Sequence, residues 1–417
     1  MISSPLKILE LRDADGPGGG PEKTVLYGTA LTDPARYDIS VCYIRPSGDR
    51  DETIPDKARE LNLKYTELRQ RGKFDRRVWR GLRQFVKRER FDIVHSHDYK
   101  TDGYNLLLAK FEATIPLTTA HGWSGDTRRE RWLYYPAHKR LLRFFPLVIS
   151  VSSRISETLK RYGVPAERIR LVPNSVDAER FRRDPAQTSA CRERWNFSND
   201  DFVIGGVGRL EPLKRFDLLI EAFAPIHREF PNARLLIAGE GSQRASLEAL
   251  AEQRGVAAFC RFIGHCPAVT DVYHALDVYV QSSDTEGTPN VVLEAMAMEV
   301  PVVATDAGGT TDVFTPDVDG LLVATGDAKA LTAAIRRSLQ GGEECRRRTL
   351  AARRHIETEL TFSRRMAKVE GIYDTLAAGQ RPSRKNPFRG PKTNRADAAT
   401  TVPAINGISS HAVHSGD

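Results

Sequence analysis

Glu286 and Glu294 stand with seven residues between them in Asp284-Thr285-Glu286-Gly287-Thr288-Pro289-Asn290-Val291-Val292-Leu293-Glu294-Ala295. Gly287-Thr288-Pro289 reads as a turn that opens a helix. The first carboxylate then lies in the loop, and the second lies one to two turns inside an apolar helix. A carboxylate among Val, Leu and Ala is costly to bury without a partner. Vicinal sugar or ribose hydroxyls are suitable partners, because a carboxylate accepts two hydrogen bonds. Upstream, Gly208-Arg209-Leu210-Glu211-Pro212-Leu213-Lys214 follows the apolar run Phe202–Val207. An Arg and a Lys at the end of a buried strand suit a diphosphate, the Arg by bidentate contact and the Lys as a point charge. Two glycine turns, Gly16 to Gly20 and Gly239-Glu240-Gly241-Ser242, stand between a strand and a helix. There glycine lets the backbone approach a phosphate, and the helix dipole favours its charge. Taken singly, each glycine turn also reads as a plain tight turn, and the two cations as an ordinary surface loop. His95-Ser96-His97 has metal-ligand residue types, but its side chains are expected on opposite faces of a strand with no third ligand, so no metal is expected there.

These residues need elements to hold them. Short apolar runs alternate with helical patterns along the chain, which predicts an α/β fold with parallel sheets covered on both faces. The strand candidates are Leu6–Leu11, Asp38–Ile44, Asp92–His95, Leu117–Ala120 and Val148–Val151. A second set comprises Phe202–Val207, Arg234–Gly239, Cys260–Ile263, Val278–Gln281 and Pro301–Ala304. Helices are predicted over Glu22–Leu31, Phe74–Arg88, Phe216–Phe223 and Ser242–Arg254. Ligand sites in such sheets sit at the carboxyl ends of the strands, which is where the glycine turns and the Arg209–Lys214 loop fall.

The 417 residues suit two or three domains at about 150 residues each. Hydrophobic residues at 40% and charged residues at 28% exclude a mainly disordered chain. No apolar stretch approaches the roughly 18 residues of a membrane span. The N-terminus lacks the form of a secretion signal, and the expectation is a cytosolic protein. Cys42, Cys191, Cys260, Cys266 and Cys345 contain no CxxC pair, so neither a disulfide framework nor a zinc site is expected. The net charge of +8 is uneven. Residues 1–170 hold 32 Lys and Arg against 22 Asp and Glu, whereas the rest hold 30 against 32. Between Arg69 and Arg90, ten basic residues face two acidic ones. On a helix from about Phe74, the apolar positions Phe74, Val78, Leu82 and Phe85 form a stripe with Trp79 beside it. The basic remainder is either a solvated face or a contact for an anionic membrane on the inner side. Nucleic acid is not expected as a partner.

Taken together the motifs resemble the retaining glycosyltransferases of family 4, the group 1 type with a GT-B fold. The resemblance runs over about residues 6–375. It rests on Gly18-Gly19-Gly20, His95-Ser96-His97, Thr119-Ala120-His121, Val172-Pro173-Asn174-Ser175-Val176-Asp177, Gly208-Arg209-Leu210 with Lys214, Ala238-Gly239-Glu240-Gly241, Phe262-Ile263-Gly264-His265, the Glu286 and Glu294 pair, and Pro301-Val302-Val303-Ala304-Thr305 with Gly308-Gly309. Ser175 stands where the family carries glycine, and Asp312 stands at the family's acidic position after the second glycine pair.

The resemblance implies two Rossmann-like domains, residues 1–178 on the acceptor side and 179–362 on the nucleotide-sugar side. A helix over 363–377 returns to the first domain, and a disordered tail occupies 378–417. By resemblance the catalytic set is His121, Arg209, Lys214 and Glu286. The donor set adds Gly18, Gly19, Gly20, Gly239, Gly241, Ile263, Gly264, His265, Thr288, Asn290, Val291 and Glu294. His95, His97 and Asp98 line the acceptor side. The implied donor is a UDP- or GDP-linked sugar, with no further cofactor and no metal. The implied acceptor is a carbohydrate or a lipid-linked saccharide, as in surface polysaccharide or glycolipid assembly. The alternatives are a small soluble acceptor or a nucleotide-sugar epimerase of the same fold. Retention calls for either double displacement or a same-face reaction, and the second is expected because no free nucleophile is evident.

Overall fold

The computed structural model describes residues 4–16, 18–72, 75–123, 132 and 134–379. The tail expected from residue 378 falls almost wholly outside them, as do Lys73 and Phe74.

Two parallel sheets carry the molecule. The first contains β1 (Leu6–Asp13), β2 (Tyr37–Pro46), β3 (Lys64–Gln70), β4 (Ile93–Ser96), β5 (Ile115–Ala120), β6 (Leu147–Ser150) and β7 (Ile169–Leu171). Its order is β3-β2-β1-β4-β5-β6-β7. The second contains β8 (Phe202–Val207), β9 (Ala233–Ala238), β10 (Cys260–Gly264), β11 (Val278–Gln281), β12 (Val302–Thr305) and β13 (Leu321–Val323), in the order β10-β9-β8-β11-β12-β13. Strand order reverses beside β1 in the first sheet and beside β8 in the second, the two places where a doubly wound sheet opens a crevice. This is the two-domain GT-B arrangement expected from the sequence.

The central strands are short and apolar because helices cover both faces. Ile8, Leu9 and Leu11 of β1 are fully buried, and so are Val203 and Ile204 of β8. The edge strand β3, Lys-Tyr-Thr-Glu-Leu-Arg-Gln, is half-exposed and polar, and its sequence carries no apolar run. The helix Arg76–Glu89 buries Val78, Leu82, Phe85 and Val86. It starts two residues later than expected because Asp75 caps it, accepting from the Arg77 amide.

The last helix, Phe362–Ala378, packs on the first sheet rather than the second. Met366, Val369, Ile372, Tyr373 and Leu376 form one cluster with Ile8, Ile93, Leu117 and Ile149. The linker strand segment assists this crossing, since the Val176 amide donates to the Leu360 carbonyl over 3.0 Å.

Gly239 closes β9 at φ +145°, and a Cβ there would lie 1.8 Å from the Gly208 carbonyl oxygen. The two strand ends of the second sheet therefore touch backbone to backbone. Gly239→Ala should cost about 3 kcal/mol or more through clash and strain. Thermal unfolding should fall by roughly 6–12 °C; an unchanged midpoint would contradict this geometry.

Candidate active site between the two sheets

The carboxyl ends of the two sheets face each other and meet through small residues and a few polar bonds. A Cβ on Gly287 would sit 2.7 Å from the His121 carbonyl oxygen, and one on Gly20 would sit 2.6 Å from Asn290 Nδ2. Asn174 Nδ2 donates to Asn290 Oδ1 over 3.0 Å. The Ser153 amide donates to Asp312 over 2.8 Å. Thr288, expected beside the donor, is buried, and its hydroxyl donates to the Val151 carbonyl of the first domain.

Lys214 and Glu286 form the polar centre of the second domain's edge. Lys214 Nζ lies 2.6 Å from Glu286 Oε1, and Ser283 donates to the same oxygen over 2.6 Å. Lys214 ends a short 3-10 turn after β8, and Glu286 is held by its amide donating to the Ala307 carbonyl over 2.6 Å. Arg209 is exposed. Among the described residues it has no ion pair, so its guanidinium is open to an anion. Gly241 packs against the Leu210 carbonyl, where a Cβ would be 2.4 Å away. Gly264 takes φ +71°, Ile263 is half-buried, and the His265 amide donates to Glu240.

Glu294 sits in the helix Asn290–Ala297 together with Val291 and is 3% exposed. The partner its burial requires is already present: Lys23 Nζ lies 2.7 Å from Oε1, and the Tyr273 hydroxyl donates to Oε2 over 2.9 Å. Lys23 belongs to the helix Gly20–Ala30, which the glycine loop Gly18 to Gly20 opens. The loop itself is braced by Glu22, which accepts from the Gly19 amide and from Arg12, each over 2.6 Å.

On the first sheet the histidines turn inward. Residues two apart in a strand share a face, and His95 and His97 both reach Glu10 of β1, correcting the expectation of opposite faces. His95 Nδ1 lies 3.1 Å from Glu10 Oε1, and His97 Nε2 bonds Oε2. Glu10 is thus a third side chain beside the pair. The ligand-type atoms of Glu10, His95 and His97 lie within 4.8 Å of one another. Tyr373 of the last helix donates to Glu10 Oε1 over 2.7 Å. His97 Nδ1 lies 3.1 Å from Nε2 of His121, at the end of β5. Asp98 caps the helix Tyr99–Glu112, accepting from the Lys100 and Thr101 amides.

Burial works against the Glu10 charge, but His95 and His97 outweigh it and hold the carboxyl well below its usual range. Burial pushes His97 down to about 4, with His95 adding to the effect and Glu10 opposing it. Burial, His97, Arg12 and Arg365 hold His121 well below its ordinary value. Both rings are therefore neutral near pH 7.

A cavity of about 770 Å³ opens between Asp13, Gln70, Tyr99, Lys100 and Tyr134. The Tyr99 and Tyr134 rings stack with centroids 6.2 Å apart and planes 7° apart. His95 and His97, expected to line the acceptor side, are only 2% and 4% exposed.

The chain matches two family models in succession. Residues 18–180 match Glycosyltransferase Family 4, and residues 188–355 match Glycosyl transferases group 1. The chain belongs to the family 4, group 1 glycosyltransferases. Among curated relatives, EpsD of Bacillus subtilis (strain 168) is 32% identical over 309 residues, covering 71% of this chain and 80% of EpsD. A GDP-mannose-dependent alpha-mannosyltransferase of Mycobacterium tuberculosis is 30% identical over 291 residues, covering 67% and 71%. A D-inositol 3-phosphate glycosyltransferase of Geodermatophilus obscurus is 33% identical over 288 residues, and the match spans 62% of its length. The fold matches Anabaena Alr3699/HepE in complex with UDP-glucose at a TM-score of 0.76 and 19% identity, over 89% of this chain and 100% of that one. Sucrose-phosphate synthase from Thermosynechococcus elongatus matches at 0.73 and 21% identity, over 90% and 100%. In this glycosyltransferase the Gly18 to Gly20 loop, Lys214, Glu286 and Glu294 stand at the facing edges of the two sheets.

Glu10, Lys23, Tyr273 and Tyr373 were not legible as site residues in the sequence. Glu10 interrupts an otherwise apolar strand, and that one polar residue in a buried run was the available signal. Lys23 looks like any helix cation.

The neutral state of His97 predicts an acid sensitivity. An unfolded His97 takes up a proton near pH 6.5, whereas the folded one waits until about pH 4. Its contribution to stability is therefore present above pH 6.5 and is lost as pH falls toward 4. Between pH 7 and pH 5 the wild type should lose about 2 kcal/mol more than His97→Gln. Denaturant unfolding of both proteins at the two pH values checks this; equal losses would refute it.

Proposed function

We propose that this glycosyltransferase retains anomeric configuration and moves a sugar from a UDP- or GDP-linked donor to a carbohydrate or lipid-linked acceptor in surface polysaccharide or glycolipid assembly. The observation that carries this reading is the Lys214 and Glu286 pair, with Arg209 open beside it. As the nucleoside diphosphate leaves, negative charge grows on its phosphate. Lys214 and Arg209 stabilise that charge by fixed position, so no divalent metal is needed. Glu294 takes the ribose hydroxyls in place of Lys23, and Glu286 faces the donor sugar. Because Glu286 is held by Lys214 and Ser283, it is poorly placed to act as a free nucleophile. That favours the same-face reaction, in which the leaving phosphate oxygen takes the acceptor's proton. HepE was solved with UDP-glucose and the mycobacterial relative is GDP-mannose-dependent, so both bases remain in the donor class.

The cavity beside Tyr99 and Tyr134 supports a saccharide acceptor. Aromatic faces take the apolar face of a sugar ring, and Asp13, Gln70 and Lys100 take its hydroxyls.

The acceptor reading includes a membrane surface. No helix among the described residues is long and apolar enough to cross a bilayer. Arg76, Arg77, Arg80, Arg83, Lys87 and Arg88 are all exposed on one helix. Beside them Phe111 is 52% exposed, with Trp79 at its edge and the Arg83 guanidinium over its ring. An apolar ridge flanked by cations fits an anionic bilayer surface, where each basic residue adds about 1 kcal/mol.

Two measurements test this function. Lys214→Ala should keep the fold and lower turnover about a hundredfold, a loss of roughly 3 kcal/mol, while wild-type activity survives excess EDTA. A donor screen by mass shift gives the assay; undiminished turnover in the mutant, or loss to EDTA restored by manganese, would sink it. The protein should also co-sediment with anionic but not neutral vesicles at low salt. Salt, or neutralising Arg76, Arg77, Arg80 and Arg83 together, should release it. Failure to bind anionic vesicles would move the acceptor to a soluble sugar.

A further inference from the structure

Glu10 is a buried carboxylate that touches neither the donor loop nor the open cavity. Its two oxygens face three donors. Tyr373 and His95 Nδ1 meet Oε1, and His97 Nε2 meets Oε2. An ionised carboxylate only accepts hydrogen bonds, so both histidines carry protons on those nitrogens. His95 Nε2 lies 2.7 Å from the Thr119 hydroxyl.

The same logic runs outward through His97. A neutral imidazole has one proton, and that of His97 is spent on Glu10, so its Nδ1 is a lone pair. The atom facing it at 3.1 Å is His121 Nε2, which must therefore donate. His121 has then used its own single proton, and its Nδ1 is left bare. That Nδ1 is buried and has no hydrogen-bond partner among the described residues. A buried acceptor without a partner costs free energy. The ring stands at the end of β5, with the backbone of Gly287 from the Glu286 loop packed on its carbonyl. The charged groups that face it are Arg12 of β1 and Arg365 of the last helix. Both are cations and both favour a neutral ring.

We propose that Glu10 is a positioning residue for sugar transfer: through His97 it fixes His121 in the tautomer whose bare Nδ1 accepts a hydrogen bond from a hydroxyl of the bound sugar substrate. This rests on the transferase reading, in which His121 stands beside the donor sugar. Tyr373 ties the device to the helix that crosses back from the second domain, so the proton order is set by an element remote in sequence.

Glu10→Gln tests the idea. A Gln has one acceptor oxygen, and the side with two donors, Tyr373 and His95, claims it. Its amide N–H then points at His97 Nε2. His97 must accept there, its proton moves to Nδ1, and His121 is forced to accept at Nε2 and carry its proton on Nδ1. The order along the chain reverses.

The measurement is nitrogen NMR of the full chain labelled with 15N-histidine. The His97 and His121 signals are assigned by their loss in His97→Asn and His121→Asn. In the wild type His121 should show a protonated Nε2 and an unprotonated Nδ1. Glu10→Gln should exchange the two, and kcat should fall roughly ten- to a hundredfold, with donor KM within about twofold. Tyr373→Phe, a comparable loss in the same cluster, should leave the tautomer as in the wild type, because the oxygen facing His97 is untouched. A wild-type His121 protonated on Nδ1 overturns the proposal even where Glu10→Gln does not fold. An unchanged tautomer in a folded Glu10→Gln overturns it as well. The spectra need no substrate, so they stand or fall apart from the transferase reading, which the wild-type donor screen tests by itself.

Discussion

Parallel strands put all their carboxyl ends on one edge of a sheet, and this chain sets two such edges against each other. Most of the site follows from that constraint. A parallel sheet needs a crossover after each strand, and each crossover starts a helix at the same edge. The helix Gly20–Ala30 leaves from β1, and the helix Asn290–Ala297 follows β11. Their amino ends meet where strand order reverses in each sheet. A nucleotide in that junction would meet helix amides and loop cations without any rearrangement of the cores.

The junction is close because it is made of glycines. Gly20, Gly287 and Gly309 sit where a Cβ would strike the opposite domain or its own loop, Gly309 within 1.3 Å of the Gly287 carbonyl. At the junction itself the described contacts between the two sheets' edges include several polar bonds, while the last helix adds apolar packing on the first sheet. Lys23 to Glu294 spans the junction with one partly exposed partner and one buried partner. The lysine loses little on returning to water, but the buried carboxylate needs a partner in its place.

Inside the first domain the opposite choice was made. Glu10, His95, His97, His121 and Tyr373 form a closed polar cluster in the core, with the Glu10 charge shared among three donors. Buried polar groups are costly unless every member is satisfied, and a satisfied network is rigid. The unsatisfied exception is His121 Nδ1 at the outer end. The network thus ends on a buried ring nitrogen that has no partner among the described residues.

The sequence by itself determined the fold class and most strands. Runs such as Phe202–Val207 are apolar because both faces are covered, and burial writes itself into local composition. The glycine turns, the Arg209 to Lys214 loop and the Glu286 and Glu294 pair were legible because each lies in one short stretch. The edge strand β3 was not, because a half-exposed strand needs no apolar run. β13 was not, because three residues make no pattern. Tertiary structure alone decided which side chains answer the buried charges. Glu294 finds Lys23 from 271 positions away, and Glu10 finds Tyr373 from 363 away. Nothing local marks either pair, because a lysine on a helix and a tyrosine on an apolar stripe satisfy their own elements equally well wherever the chain takes them. Local sequence sets which groups must be paired, and the path of the backbone chooses the partner.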